Sequence, residues 1–426
     1  MDERAMSGKR IVSVYIATSA LFTLATSLIW GVNTLFLLGA GLDIFHVMLV
    51  NAAFTAGQVV FEVPTGVIAD TIGRKASFLL GIGILFVSTL LYVGSARHEW
   101  GLWAFIGASV LIGFGFTCQT GAVDAWLVDA LDHVGYDRPR EQVFARGGMV
   151  FGIAMLVGTL AGGFLGQVDL ELPYLVRAGT LLAAFVVTFV MMHEIGFEPR
   201  PLKLSRFGAE TRTILDAGTR YGWRSPVVRP LMFVSAAQGL FMLYFFYASQ
   251  PYALQLLGRP DLVWVAGAVT AFFGLASVVG NALVGRVTTT SWGRVPVRLL
   301  AGGAVANAVG VAALGVLGVL APEGGSPVAF AVMVLLFGLF GVVSGVMGPV
   351  RQAFLNEHIP SAQRATVLSL DSFFGDVGGS IGQPGFGWIA RTFSIPVGYL
   401  VGALAMGFAW PLYRLAGRSA KEDARP

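Results

Sequence analysis

Twelve runs without a single Asp, Glu, Lys or Arg divide this chain of 426 residues. They cover residues 11–42, 44–61, 76–96, 100–123, 147–168, 178–193, 230–258, 262–285, 299–322, 324–350, 377–390 and 392–413. A helix rising 1.5 Å per residue needs ~20 apolar residues to cross the ~30 Å of hydrocarbon in a bilayer. Ten of the twelve runs reach 18 residues or more. The sixth is completed by starting at Pro173 and accepting Arg177, and the eleventh by starting near Ala365 and accepting Asp371 and Asp376. Lipid offers the backbone no hydrogen-bond partners, so such runs must form helices that satisfy their own polar groups. The reading is an all-α membrane protein with twelve transmembrane helices.

Composition agrees. The chain is 55% hydrophobic and 12% charged, about half the ~25% charge of a soluble domain. A disulfide scaffold is excluded, because Cys118 is the sole cysteine and has no intrachain partner. The first run is too long for the apolar core of a cleavable signal and reads as a retained helix.

The formal net charge of +4 raises the question of nucleic acid. Placing the N-terminus in the cytoplasm puts 24 of the 28 Lys and Arg on that side, leaving Arg97, Arg177, Arg259 and Arg391 on the other. Such a bias sets membrane orientation. The basic balance therefore reflects topology, with both termini cytoplasmic, and no nucleic-acid partner is implied.

The chain also divides in two. A polar, charge-rich connector at 196–228, with one surface helix expected over 209–221, separates a six-span bundle at 1–195 from another at 229–426. The halves echo each other. GAVDAWLVDAL from Gly121 answers GPVRQAFLNEH from Gly348, with a Gly opening each aromatic-containing helix end. Phe151-Gly152 answers Phe374-Gly375, and GTLAGGFLG from Gly158 answers GSIGQPGFG from Gly379. The offsets of 227, 223 and 221 differ only by small gaps. A parallel six-helix repeat of this kind is a construction of secondary transporters, with the substrate route between the halves.

The loop between spans two and three reads GVIADTIGRK, with Gly66, Asp70, Gly73, Arg74 and Lys75. It resembles the loop 2–3 signature of the major facilitator superfamily, Gly-x-x-x-Asp-x-x-Gly-Arg-Lys/Arg. Gly285, Arg286, Gly293 and Arg294 form a degraded second copy without the Asp. FEVPTG from Phe61 and RATVLSL from Arg364 look like a bacterial efflux-type branch. Across nearly the whole chain, the resemblance implies two six-helix bundles related by a pseudo-twofold repeat and alternating access. It implies a monomer in a bacterial inner membrane, driven by a proton gradient and without a cofactor. The function implied is proton-coupled export of a lipophilic or amphipathic small molecule, with coupled uptake of a nutrient or metabolite as the alternative. Two features depart from drug–proton antiporters. Residues 113–124 contain no Arg, and GTLAGGFLG lacks the usual Pro.

Ionisable groups inside spans cost ~2.5–3.5 kcal/mol on insertion scales and call for a reason. Glu62 shares a helix face with Asn51, Thr55 and Gln58 at spacings of 4, 3 and 4, giving either a water-accessible wall with a proton site or a structural pair with Arg364. Asp124 and Asp129 are five apart and point ~140° from each other. Asp124 corresponds in the repeat to Arg351, which suggests a gate closed by Asp124 or Glu62 against Arg351 or Arg364. Asp371 and Asp376 also lie five apart in span eleven and face different ways, each a candidate for proton coupling or for hydrogen bonding to span two.

An aromatic run in a span ordinarily faces lipid or the interface. In span seven, Gln238, Tyr244 and Tyr247 are nonetheless candidates to line an apolar cavity, together with Trp30, Asn33, Gln119 and Asn281. Gly at every fourth residue in spans five and eleven reads as a close helix-packing surface. The five histidines lack metal-ligand spacing, no phosphate-cradling loop is present, and no nucleophile-and-base motif supports an enzyme.

Overall fold

The computed structural model describes residues 7–119, 121–197, 216 and 218–423. The helix expected over 209–221 falls mostly outside them. Fifteen α-helices carry the described chain. The first eight are α1 (Gly8–Ser27), α2 (Asn33–Gly39), α3 (Ile44–Ile72), α4 (Arg74–Arg97), α5 (Leu102–Thr117), α6 (Ala122–His133), α7 (Arg140–Val168) and α8 (Leu172–Met191). The others are α9 (Val228–Leu257), α10 (Val263–Thr289), α11 (Pro296–Leu320), α12 (Pro327–Glu357), α13 (Arg364–Thr392), α14 (Ile395–Gly407) and α15 (Ala409–Asp423).

Eleven helical stretches among the described residues are long and apolar enough to cross a membrane. The twelfth crossing is α13, whose 29 residues suffice in length but include Arg364, Asp371, Asp376 and Arg391. Three crossings are interrupted. The first breaks between α1 and α2, the fourth between α5 and α6, and the last between α14 and α15. Gly121 breaks the fourth with φ +74°, a left-handed conformation that only Gly adopts cheaply. Its repeat counterpart behaves differently. Gly348 lies inside the continuous α12, because Pro349 costs that helix a hydrogen bond without ending it. The expectation that both glycines open a helix end is corrected on this point.

The chain forms two compact units. The first holds residues 1–40 and 53–208, and the second holds 41–52 and 209–426. Residues 41–52 thus cluster away from the half expected to contain them. Their contacts explain the grouping: Asp43 pairs with Arg391 at 3.4 Å, and a Cβ on Gly387 would approach the Cβ of Met48 to 2.7 Å.

Within the units the two copies of the repeat pack alike. In the first, Gly158 and Gly162 of α7 lie so close to the end of α1 that a Cβ would strike Ser27 and the Leu28 carbonyl. In the second, Gly378 and Gly382 of α13 lie equally close to Ala236 and Leu240 of α9. Span five therefore packs on span one as span eleven packs on span seven. Gly148 and Gly152 differ, since the space beside them is open.

The aromatic run of α9 corrects its expected lipid-facing placement. Phe241, Tyr244, Phe245, Ala248 and Tyr252 are buried, and their spacing of three or four residues puts them on one helix face. Phe245 stacks on Phe337 and Phe340 with centroids 4.5 Å apart, and Tyr244 stacks on Phe386. A buried aromatic face gains both apolar burial and edge or offset ring contacts.

Candidate functional site

The most strongly paired charges inside the second unit are on neighbouring spans. Arg351 of α12 donates from Nη1 to Asp371 Oδ2 at 2.8 Å and from Nη2 to Asp371 Oδ1 at 2.7 Å. This two-pronged geometry is the strongest arrangement open to a guanidinium and a carboxylate. Ser235 of α9 donates to Asp371 Oδ1 at 2.9 Å and accepts from Arg351 Nη2 at 2.6 Å. Nη2 also reaches the Leu231 carbonyl at 2.9 Å. The side chains of Arg351 and Asp371 are 16% and 9% exposed, so water screens the pair only weakly. Three helices are tied through one ion pair.

A cavity of about 180 Å³ adjoins it. Gln238, Asn307, Ser344, Arg351 and Tyr413 supply its polar wall, and Met242, Phe340, Met347 and Met406 most of the rest. Asn307 donates to Ser344 Oγ at 3.2 Å, while its Oδ1 and the Nε of Arg351 are buried without a hydrogen-bond partner. The Tyr413 hydroxyl is likewise buried without a partner, so three polar groups face whatever enters, within walls of flexible, polarisable methionine.

The first unit has a lighter counterpart. Tyr15 of α1 donates to Asp124 Oδ1 at 2.8 Å, where Asp124 occupies the first turn of α6. In both units the residue at this repeat position is bound by the first helix of its own half. Asp124 is exposed, as are Glu62, Asp376 and Arg364. Arg364 donates to the Asn356 carbonyl at 3.3 Å. The spacing of five has the expected effect in α13, where Asp371 turns inward and Asp376 outward.

Of the other candidates, Gln238 lines the cavity, whereas Tyr244 is fully buried and donates to the Ile395 carbonyl at 3.1 Å. Its place is in the packed core, not on a cavity wall. Asn281 is exposed and donates back to Ser277 of its own helix at 3.3 Å. Asn33 is buried and accepts from the Tyr174 hydroxyl at 2.8 Å. Asn51 is buried in α3, Gln58 half-buried one face-repeat further on, and Gln119 and Trp30 lie half-buried in the interruptions of spans four and one. Tyr247 packs edge-on to Phe246. No cluster of potential metal ligands occurs among the described residues.

The loop 2–3 signature has a local explanation. Arg74 pairs with Asp70 at 2.6 Å and approaches Asp129 at 3.8 Å. Glu194, just beyond α8, accepts from the backbone N–H of Arg74 at 3.2 Å and of Lys75 at 3.0 Å. A carboxylate there satisfies orphan donors and meets the positive end of the α4 dipole. Gly73 has φ +106°, and a Cβ on it would lie 2.5 Å from Glu194 Oε2, so glycine is required twice over. Lys75 Nζ donates to the Phe189 carbonyl at 2.8 Å. Burial pushes the Glu194 carboxyl above its ordinary range, against the opposing pull of the two backbone bonds and the two cations. Glu194 has no sequence signal of its own, standing just after the sixth span as the first of the many charges that lead into the connector.

Arg177 reads in the sequence as a charge tolerated near a span end. It is 1% exposed, in α8.

The sequence profile of the Major Facilitator Superfamily matches residues 15–382. The chain belongs to this superfamily and is a multi-pass membrane transporter. It is similar to the class C tetracycline resistance protein of Escherichia coli, with 27% identity over 321 residues, 74% of this chain and 72% of that protein. It is similar also to the quinolone resistance protein NorA of Staphylococcus aureus, with 22% identity over 55% of this chain and 58% of that one. Among solved structures, the nucleoside transporter NupG superposes with TM-score 0.73 at 12% identity, covering 100% of both chains. A D-xylose–proton symporter superposes with TM-score 0.69 at 16% identity, covering 95% of this chain and 96% of that one. These two likenesses are of fold alone.

Proposed function

We propose that this protein exports a lipophilic or amphipathic small molecule in exchange for protons, by alternating access, with Asp371 and Arg351 as the coupling pair. The observation that carries the reading is the two-pronged Arg351–Asp371 pair beside a largely apolar cavity. A proton on Asp371 leaves the Arg351 cation without its counter-charge in a site of low dielectric. The freed cation then seeks other partners, and the tie between α9, α12 and α13 loosens. Proton binding and helix rearrangement are thereby linked through one carboxyl group. The methionine and aromatic walls suit bulky, variable ligands better than sugars, which need many fixed hydrogen bonds. The resistance proteins to which the chain is similar support export. The basic residues of loop 2–3 and the connector support cytoplasmic termini in a bacterial inner membrane. The protein works as a monomer and needs no cofactor besides the proton gradient.

Inside-out vesicles with an acid interior and a pH-sensitive dye provide the test. A panel of lipophilic cations, antibiotics, sugars and organic acids is added in turn. Proton release on adding a lipophilic compound is expected. Proton movement with sugars or organic acids alone would replace export by coupled uptake.

A further inference from the structure

Arg177 sits in the first unit with a formal positive charge and no carboxylate paired to it among the described residues. Its side chain is 1% exposed, and both Nε and Nη2 are buried without a hydrogen-bond partner. These two nitrogens are adjacent and form one edge of the guanidinium, the fork that ordinarily receives an anion side-on. The titratable groups close enough to act on it are Tyr174 and Tyr92. Neither supplies a negative charge at neutral pH, and both hydroxyls are engaged elsewhere: Tyr174 donates to Asn33 Oδ1 at 2.8 Å, and Tyr92 bonds Ser109 Oγ. The nearest acid in sequence, Glu171, is held by Arg97 at 2.6 Å.

The two tyrosines belong to a packed aromatic cluster. The Tyr92 and Tyr174 rings stack at 5.9 Å, Phe36 lies 4.2 Å from Tyr174, and Phe105 meets Tyr92 edge-on at 5.3 Å. A guanidinium keeps its proton at neutral pH, so it cannot discharge itself by losing one. Leaving it buried and unpaired costs several kcal/mol even after relaxation. A counter-ion removes that cost.

We infer that the Nε–Nη2 edge of Arg177 holds a small monovalent anion, with chloride as the simplest fit. One cation without a second beside it is neutralised by a single negative charge, and sulfate or hydrogen phosphate would overcompensate. An arginine closed off from solvent admits a halide more readily than a large organic acid. The ion is structural to the first unit and distinct from the coupling pair in the second.

The test is equilibrium binding of radioactive chloride to the purified full-length protein in nanodiscs, with gluconate holding ionic strength constant. Saturable binding of about one chloride per chain is expected. It should be displaced by bromide but not by sulfate, weakened in Arg177→Lys and lost in Arg177→Gln. The thermal midpoint of the wild type should rise with chloride and that of Arg177→Gln should not. Absence of saturable chloride binding in the wild type would overturn the inference whatever the variants do, as would equal binding in wild type and Arg177→Gln.

Discussion

Helix α8 of the first unit and helix α12 of the second each bury one arginine inside a membrane crossing, and the two are handled in opposite ways. Arg351 has a carboxylate on both prongs, a serine and a backbone carbonyl. Arg177 has aromatic rings and two empty donors. A paired charge can be switched by a proton, because its partner titrates. An unpaired arginine cannot be switched that way, so its charge is constant and calls for a constant counter-ion. On the proposed reading, a titratable partner is what distinguishes the coupling arginine from the structural one, although both arginines would look alike on a hydropathy plot.

The sharpest way to break this comparison is to remove one partner from each. Arg351→Gln leaves the Asp371 carboxylate buried and unpaired, a change that costs about 3–5 kcal/mol and should appear as a large fall in thermal midpoint with loss of transport. Arg177→Gln leaves no charge behind. In chloride-free buffer, where the wild type carries the cost of an unpaired buried cation, its midpoint should lie above that of the wild type, and a fall as large as that of Arg351→Gln would erase the distinction.

A double replacement sharpens the point. Arg351→Met with Asp371→Leu removes both charges, and the midpoint should recover most of what Arg351→Gln loses, while proton-driven transport stays absent. Recovery of transport would show that the pair is only structural. A smaller effect is expected from Tyr15→Phe, which removes a single hydrogen bond to the exposed Asp124 and should cost about 0.5–1.5 kcal/mol.

The smallest effect concerns Glu194. Its carboxyl pKa is raised by burial, so the folded state binds the proton more readily than the unfolded chain, and its contribution to stability falls as pH rises. The midpoint of Glu194→Gln relative to wild type should therefore climb as pH rises above the ordinary glutamate pKa of about 4.3. A relative midpoint that drops over that range would contradict the burial argument.

How much of this was visible in the residue order follows from what each feature depends on. The crossings were legible because absence of charge over ~20 residues is a local property. Even the weakest, α13, could be placed by accepting Asp371 and Asp376. The glycine surface of span five was legible from its four-residue period at Gly158 and Gly162, whereas Gly148 and Gly152 face open space. In span eleven the glycines whose Cβ would strike backbone are Gly378 and Gly382, not the expected Gly375 and Gly379. The partner of Arg351 was not. Opposition in the repeat pointed to Asp124, but the packing of α12 beside α13 and α9 brings Asp371 instead, and only tertiary contact decides between carboxylates. The Glu194 cap joins residues 120 apart in the chain, with no local pattern to announce it. Arg177 left a signal that was readable: an arginine within a span and no acid within a turn of it.

The central claim is that Asp371 carries the coupling proton, and accumulation against exchange tests it most directly. Proteoliposomes containing Asp371→Asn should still exchange labelled for unlabelled substrate at equal pH, yet fail to accumulate substrate under a pH gradient that drives the wild type. If Asp371→Asn accumulates substrate under that gradient as the wild type does, the proton travels elsewhere and the Arg351–Asp371 pair is not the coupling site.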